Sequence, residues 1–150
     1  MPALDPALYV RKGFGLKAAV QDDLAADYDG RLVDLLRASG YRLQAGGLTV
    51  RLAHEFGFCY GVERAVDYAY QTRRKFPDRR IWLAGEIIHN PHVNQRLRDM
   101  GVGFLGLMPP EAGKPAFDYA PVAAEDVVIL PAFGVTIHDV ELLRALGCVV

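Results

Sequence analysis

Apolar positions along this chain alternate between short continuous runs and stripes with helical spacing. The continuous runs predict four strands, at residues 48–53, 81–84, 103–105 and 127–130. The stripes between them predict helices. Because strands and helices alternate, the sequence predicts an α/β fold with three layers, α/β/α, in which a small, mostly parallel sheet is covered on both faces.

The N-terminal part predicts a helical extension. Leu24, Tyr28, Leu32 and Leu36 form one stripe over residues 24–39, and Gly40 follows at a C-cap position. Gly30 weakens this helix, since glycine is unfavourable inside one. We therefore expect residues 1–47 to be an extension with one helix that packs on the α/β body. Residues 48–150 are expected to form the first α/β domain.

Three further helices have recognisable signals at their ends. One follows Cys59, runs to about Phe76 and is stopped by Pro77. The second starts with Asn90 as N-cap and Pro91 at the first helical position. A Thr-x-x-Asp sequence at 136–139 resembles a capping box and starts the last one. In residues 106–126 the apolar residues have no regular spacing, and we interpret this segment as a surface excursion. Residues 148–150 are interpreted as the beginning of another strand.

Composition and charge narrow the class of protein. The chain has 150 residues, a formal net charge of −1 and 51% hydrophobic residues, as in ordinary globular domains. Charges of both signs are interspersed, which argues against nucleic-acid binding. Residues 1–5 lack the features of a secretory signal or a plastid transit peptide. Two distant cysteines make no disulfide framework, so we expect a bacterial cytoplasmic protein.

Cys59 is the first candidate for chemistry. Gly57 and Gly61 flank it and allow a sharp turn between a strand and a helix. Ligands of open α/β sheets bind at this kind of position. A helix start also favours a thiolate, which attacks electrophiles or binds metals. The alternative is a small buried hydrophobic residue, the usual role of a free cysteine.

Histidines offer three further readings. Cys59, His89 and His92 would make a zinc site, although structural zinc usually takes four ligands. Cys59 and His89 would alternatively make a nucleophile and its base. The third reading, phosphate binding by His89 just before a helix start, is the better supported by its position.

Several motifs, in order, resemble the LytB family, the 4-hydroxy-3-methylbut-2-enyl diphosphate reductases of the non-mevalonate isoprenoid pathway. The resemblance is strongest to its cyanobacterial and plant branch. The motifs are Arg-Lys-Gly-Phe-Gly at 11–15, Gly-Phe-Cys-x-Gly-Val-x-Arg-Ala-Val at 57–66, Glu-Ile-Ile-His-Asn-Pro at 86–91 with Asn94, and Leu-Pro-Ala-Phe-Gly at 130–134.

The resemblance implies an oxidoreductase that uses a 4Fe–4S cluster and acts on an allylic diphosphate. It also implies an electron donor such as ferredoxin or flavodoxin. In the family three cysteines, one per α/β domain, hold the cluster, and Cys59 matches the first. His89 matches a histidine of the diphosphate pocket. Many relatives have a second histidine where this chain has Phe133, which puts a second phosphate contact in doubt.

The family's next motif, Thr-Cys-Pro, would begin a few residues beyond Val150. We therefore expect this sequence to be the N-terminal portion of a reductase, inactive alone. Two alternatives stay open. One is a non-catalytic fragment or half of a split enzyme that acts by protein association, with the missing C-terminal domains as a candidate partner. The other is a small zinc- or thiol-dependent enzyme that uses Cys59 and His89. Cys148 is expected to be a buried strand residue. His54, His92 and His138 match no family function, and each is expected to be solvated or locally bonded.

Overall fold

The computed structural model describes residues 9–10, 12–28 and 30–150. The predictions made on residues 1–5 and on Arg11 lie outside these residues. The helices of the described part are α1 (Lys17–Tyr28), α2 (Arg31–Ala38), α3 (Tyr60–Lys75), α4 (Pro91–Asp99) and α5 (Ile137–Leu146). Its strands are β1 (Arg42–Ala45), β2 (Leu48–Arg51), β3 (Ile81–Ala84), β4 (Val102–Leu105) and β5 (Val127–Ile129).

A parallel sheet forms the centre of the α/β body. Its strand order is β4-β3-β5, and Ile81 of β3 pairs with Val102 on one side and Val127 on the other. Val149 adds a parallel bridge to Val127, at the outer side of β5. The predicted α/β class and the mostly parallel sheet are thereby confirmed, and at 148–150, where a strand was predicted to begin, Val149 forms a single bridge.

Strand β3 separates two hydrophobic cores because successive side chains point to opposite faces. Ile81 and Leu83 pack in one core with residues of α1, α3 and α4. Trp82 and Ala84 pack in the other with α5 and the segment that precedes β5. The three predicted layers are present.

The strand predicted at 48–53 does not join the parallel sheet, which is a correction. Residues of β2 pair antiparallel with β1 in a separate two-stranded hairpin whose turn is Gly46-Gly47. Glycine suits this turn because Gly46 has a φ of +59°. All four residues of β2 are exposed. A run of this length cannot by itself distinguish a sheet-core strand from an exposed hairpin strand.

The single helix predicted over 24–39 is also wrong. Gly30 has extended backbone angles, φ −112° and ψ 130°, and separates α1 from α2. The tyrosine and leucine of α1, Tyr28 and Leu24, pack on the core around α3, as does buried Val20. Leu32 of α2 is instead 61% exposed. The extension therefore packs on the body as predicted, but with two helices; the boundary between 47 and 48 stays a prediction, and the hairpin spans it.

The segment 106–126 is more than the surface excursion predicted. Its side chains Phe117, Tyr119 and Val122 are buried in the core beneath α5. Buried Asp139 of α5 fixes the segment by accepting a hydrogen bond from the Ala116 N–H at 2.8 Å. The burial of these three side chains was not predicted because the segment is rich in proline and its apolar residues have no regular spacing.

Candidate functional site

Cys59 lies at the start of α3, as the sequence predicts. It occupies the N-cap position, and its carbonyl accepts a hydrogen bond from the Glu63 N–H at 2.9 Å. Gly57, two residues earlier, has a φ of +108°, a region that L side chains rarely adopt. Cys59 itself is exposed. An exposed sulfur at a helix start, near unpaired N–H groups, is suited to bind a metal or react with an electrophile.

His89 lies in the turn between β3 and α4. Its Nδ1 is 3.3 Å from the Glu86 carboxylate, and its ring stacks on Phe133 with centroids 5.1 Å apart and planes 13° apart. His89 and Phe133 meet because they follow β3 and β5, which are neighbouring parallel strands. The His89 side chain is 81% exposed. One ring nitrogen is thus engaged by Glu86, while the other is available to a ligand.

Two asparagines fix the turn that carries His89. Buried Asn94 donates from its side-chain amide to the Ile88 carbonyl at 2.9 Å. Asn90 caps α4 as predicted, and its Oδ1 accepts from the N–H groups of His92 at 3.0 Å and Val93 at 3.2 Å. The backbone on both sides of His89 is therefore held by side chains.

The hypothesis of a zinc site formed by Cys59, His89 and His92 is not supported. Within residues 9–10, 12–28 and 30–150, no group of three or more His, Cys, Asp or Glu side chains is placed to hold a metal ion. His92 lies instead against α1, with its Nε2 3.2 Å from the Asp27 carbonyl oxygen. In the same ranges no hydrogen bond joins Cys59 and His89, so the nucleophile–base pair gains no support either.

The remaining candidates have structural surroundings. The Nδ1 of His138 is 3.4 Å from the Glu141 carboxylate, one turn further along α5. The ring of His54 lies 4.3 Å from that of Tyr41. Cys148 is buried, as predicted, and burial raises the pKa of its thiol. Cys148 is therefore unsuited to bind a ligand.

Comparison with known proteins decides the family. The model of the family described as "LytB protein" matches residues 50–150. The chain belongs to the LytB family. One relative is the 4-hydroxy-3-methylbut-2-enyl diphosphate reductase of Gloeobacter violaceus. It is 52% identical over 143 residues, which are 95% of this chain and 34% of that protein. The reductase of Microcystis aeruginosa is 51% identical over 142 residues, again 95% of this chain and 34% of the relative.

This LytB chain spans about a third of the length of the reductases it matches. It also resembles a solved structure titled "Structure of (E)-4-Hydroxy-3-methyl-but-2-enyl Diphosphate Reductase, the Terminal Enzyme of the Non-Mevalonate Pathway". The identity is 33% over 65% of this chain and 30% of the other, with a TM-score of 0.44. That score is too low to transfer geometry from one to the other.

A 4Fe–4S cluster takes three or four protein thiolates. The LytB chain has two cysteines, of which Cys59 is exposed and Cys148 buried. The residues present therefore fit one ligand of such a cluster and do not fit a complete ligand set.

Two residues near the site were missed by the sequence reasoning. Glu86 was read only as part of a motif, although its i, i+3 spacing to His89 allows contact within one turn. The position of Tyr28, whose ring lies 5.8 Å from that of Phe58, had no signal beyond its place in an apolar stripe. No helix of the described residues is long and apolar enough to cross a membrane.

Proposed function

We propose that this chain forms the first α/β domain, with its N-terminal extension, of a 4-hydroxy-3-methylbut-2-enyl diphosphate reductase. In this proposal Cys59 supplies one thiolate to a 4Fe–4S cluster, and His89 contacts the diphosphate of the substrate. The observation that carries it is the family match over residues 50–150, which includes both side chains. Both are exposed at helix starts, where ligands are accessible.

The cluster, in this proposal, takes its other ligands from outside these 150 residues, since the chain offers one exposed thiol. Reduction of a substrate also needs an electron donor, and a small redox protein such as ferredoxin or flavodoxin is the proposed source. The domains that bring the other ligands are the proposed protein partner of this chain.

The role of His89 can be tested on the chain itself with inorganic pyrophosphate as the probe. In an NMR titration with pyrophosphate, we expect chemical-shift changes at the His89 ring and at the His92 and Val93 amides. His89→Ala should weaken binding by roughly tenfold or more, because a charged hydrogen bond is lost.

His138→Ala is the matched control. His138 also lies at a helix start with a carboxylate partner, Glu141, at nearly the same distance. Equal weakening by the two variants, or binding with no shift at the start of α4, would contradict the proposed diphosphate contact.

The isolated chain is expected to have no reductase activity, since one exposed thiolate cannot hold the cluster. The measurement is product analysis after anaerobic reconstitution with iron and sulfide, using a chemical reductant and the allylic diphosphate. Formation of isopentenyl or dimethylallyl diphosphate by this chain alone would refute that expectation.

A further inference from the structure

Tyr28, the last residue of α1, contacts the segments that carry both proposed ligands. Its ring packs edge-to-face against Phe58, with centroids 5.8 Å apart and planes at 68°. It packs in the same manner against His92, at 5.8 Å and 88°. Phe58 directly precedes Cys59, and His92 follows His89 by three residues. One aromatic ring of the N-terminal extension therefore contacts both the residue before Cys59 and the first turn of α4, which follows His89.

Polar contacts fix the position of this ring. The Tyr70 hydroxyl of α3 donates to the Asp27 carboxylate at 2.6 Å and lies 3.2 Å from the Tyr28 hydroxyl. Arg96 of α4 forms an ion pair with the same carboxylate. The end of α1 is thus attached to both α3 and α4, the two helices whose starts carry the site.

We propose that Tyr28 is a positioning residue that fixes the Cys59 turn relative to the His89 turn. The inference rests on the proposed function, which makes these two turns parts of one site. Cys59 and His89 belong to separate connections, one following the exposed hairpin and the other following β3. A rigid ring between Phe58 and His92 limits how far the two helix starts move independently, because edge-to-face pairs have a preferred distance and angle.

Amide hydrogen exchange on the 150-residue chain tests this role. The reporters are the Glu63 N–H, bonded to the Cys59 carbonyl at 2.9 Å, and the Val93 N–H, bonded to Asn90 at 3.2 Å. Tyr28→Leu should raise exchange at both by about fivefold relative to amides of β3, because both ring contacts are lost together. Tyr28→Phe keeps both ring contacts and loses only the hydroxyl contact with Tyr70, so it should raise exchange at both reporters much less than Tyr28→Leu does.

Val20→Ala is the control for general loosening of the extension. Val20 is a buried α1 residue in the same core, and its replacement leaves the Tyr28 side chain itself unchanged. If Tyr28→Leu raises exchange equally throughout the chain, or if Val20→Ala reproduces the selective effect, the inference is wrong. Hydrogen exchange needs neither iron nor diphosphate, so its failure is distinguishable from failure of the proposed ligand roles.

Discussion

Replacing Cys59 by serine is expected to abolish cluster binding and reductase activity in a chimera that joins this chain to the remaining two thirds of the Gloeobacter violaceus reductase. The identity of 52% over 143 residues makes that exchange conservative. Serine keeps the size of the side chain but removes the thiolate, the ligand that iron–sulfur clusters use. We expect activity to fall by about two orders of magnitude or more, with a matching loss of bound iron and sulfide.

Cys148→Ala in the same chimera is the comparison. Cys148 is buried beneath α5, with its sulfur 3.8 Å from the Leu143 carbonyl oxygen. Its loss should lower thermal stability while iron content and turnover per folded molecule persist. A Cys59→Ser chimera with the iron content and activity of its parent would refute the ligand role.

Removing the carboxylate of Asp126 is expected to cause the largest loss of stability. Asp126 is 1% exposed and accepts hydrogen bonds from the Trp82 indole at 2.9 Å, the Ala123 N–H at 2.9 Å and Arg80 at 2.9 Å. Asp126→Ala leaves the half-buried Trp82 indole and Ala123 N–H without their acceptor, at a cost of about 2 kcal/mol. Urea unfolding followed by the fluorescence of Trp82, the one tryptophan of the chain, measures this directly.

Asp118→Ala provides the matched control. Asp118 accepts a comparable backbone hydrogen bond, from the Ala120 N–H at 2.9 Å, but at the exposed surface. Its removal should cost less than about 1 kcal/mol, because water replaces the lost acceptor. Equal losses for the two variants would mean that burial of Asp126 has no energetic weight.

Asp126 also predicts a pH dependence. Burial opposes its ionisation, but the hydrogen bonds from Ala123, Trp82 and Arg80 outweigh burial and hold the pKa of the carboxyl below its usual value. The contribution of the Asp126 carboxylate to folding stability is therefore present above the unfolded pKa of about 3.9. It is lost as the pH falls through the lower folded pKa. The stability difference between the parent and Asp126→Asn should be large at pH 6 and shrink below about pH 4; an unchanged difference contradicts the assignment.

Local signals were sufficient for the elements that frame the site. Asn90 and Pro91 start α4, and Thr136 and Asp139 form a capping box, because these caps act through neighbouring backbone groups. The alternating faces of β3 likewise follow from the period of a strand. Such features depend on a few adjacent residues, and so the sequence alone predicts them.

Contacts between distant segments escaped the sequence reasoning. The apolar residues Leu48 and Val50 predicted a sheet strand, whereas their strand pairs with β1 and remains exposed. Phe117 lies in a proline-rich segment whose apolar residues have no regular spacing, yet its side chain is buried. The Phe133 position illustrates the same limit: the motif shows which residue replaces a histidine, but only the pairing of β3 and β5 brings its ring onto His89. Each outcome depends on tertiary pairing rather than on local pattern.

The exposed β1–β2 hairpin makes part of the chain tolerant of added length. Its strands contribute no fully buried side chain, so extending the turn at Gly46-Gly47 removes no buried apolar surface. The entropy of closing a loop grows slowly with its length. A short epitope or a fluorophore-bearing peptide placed at this turn would therefore mark the protein while leaving the two cores and the proposed ligands intact.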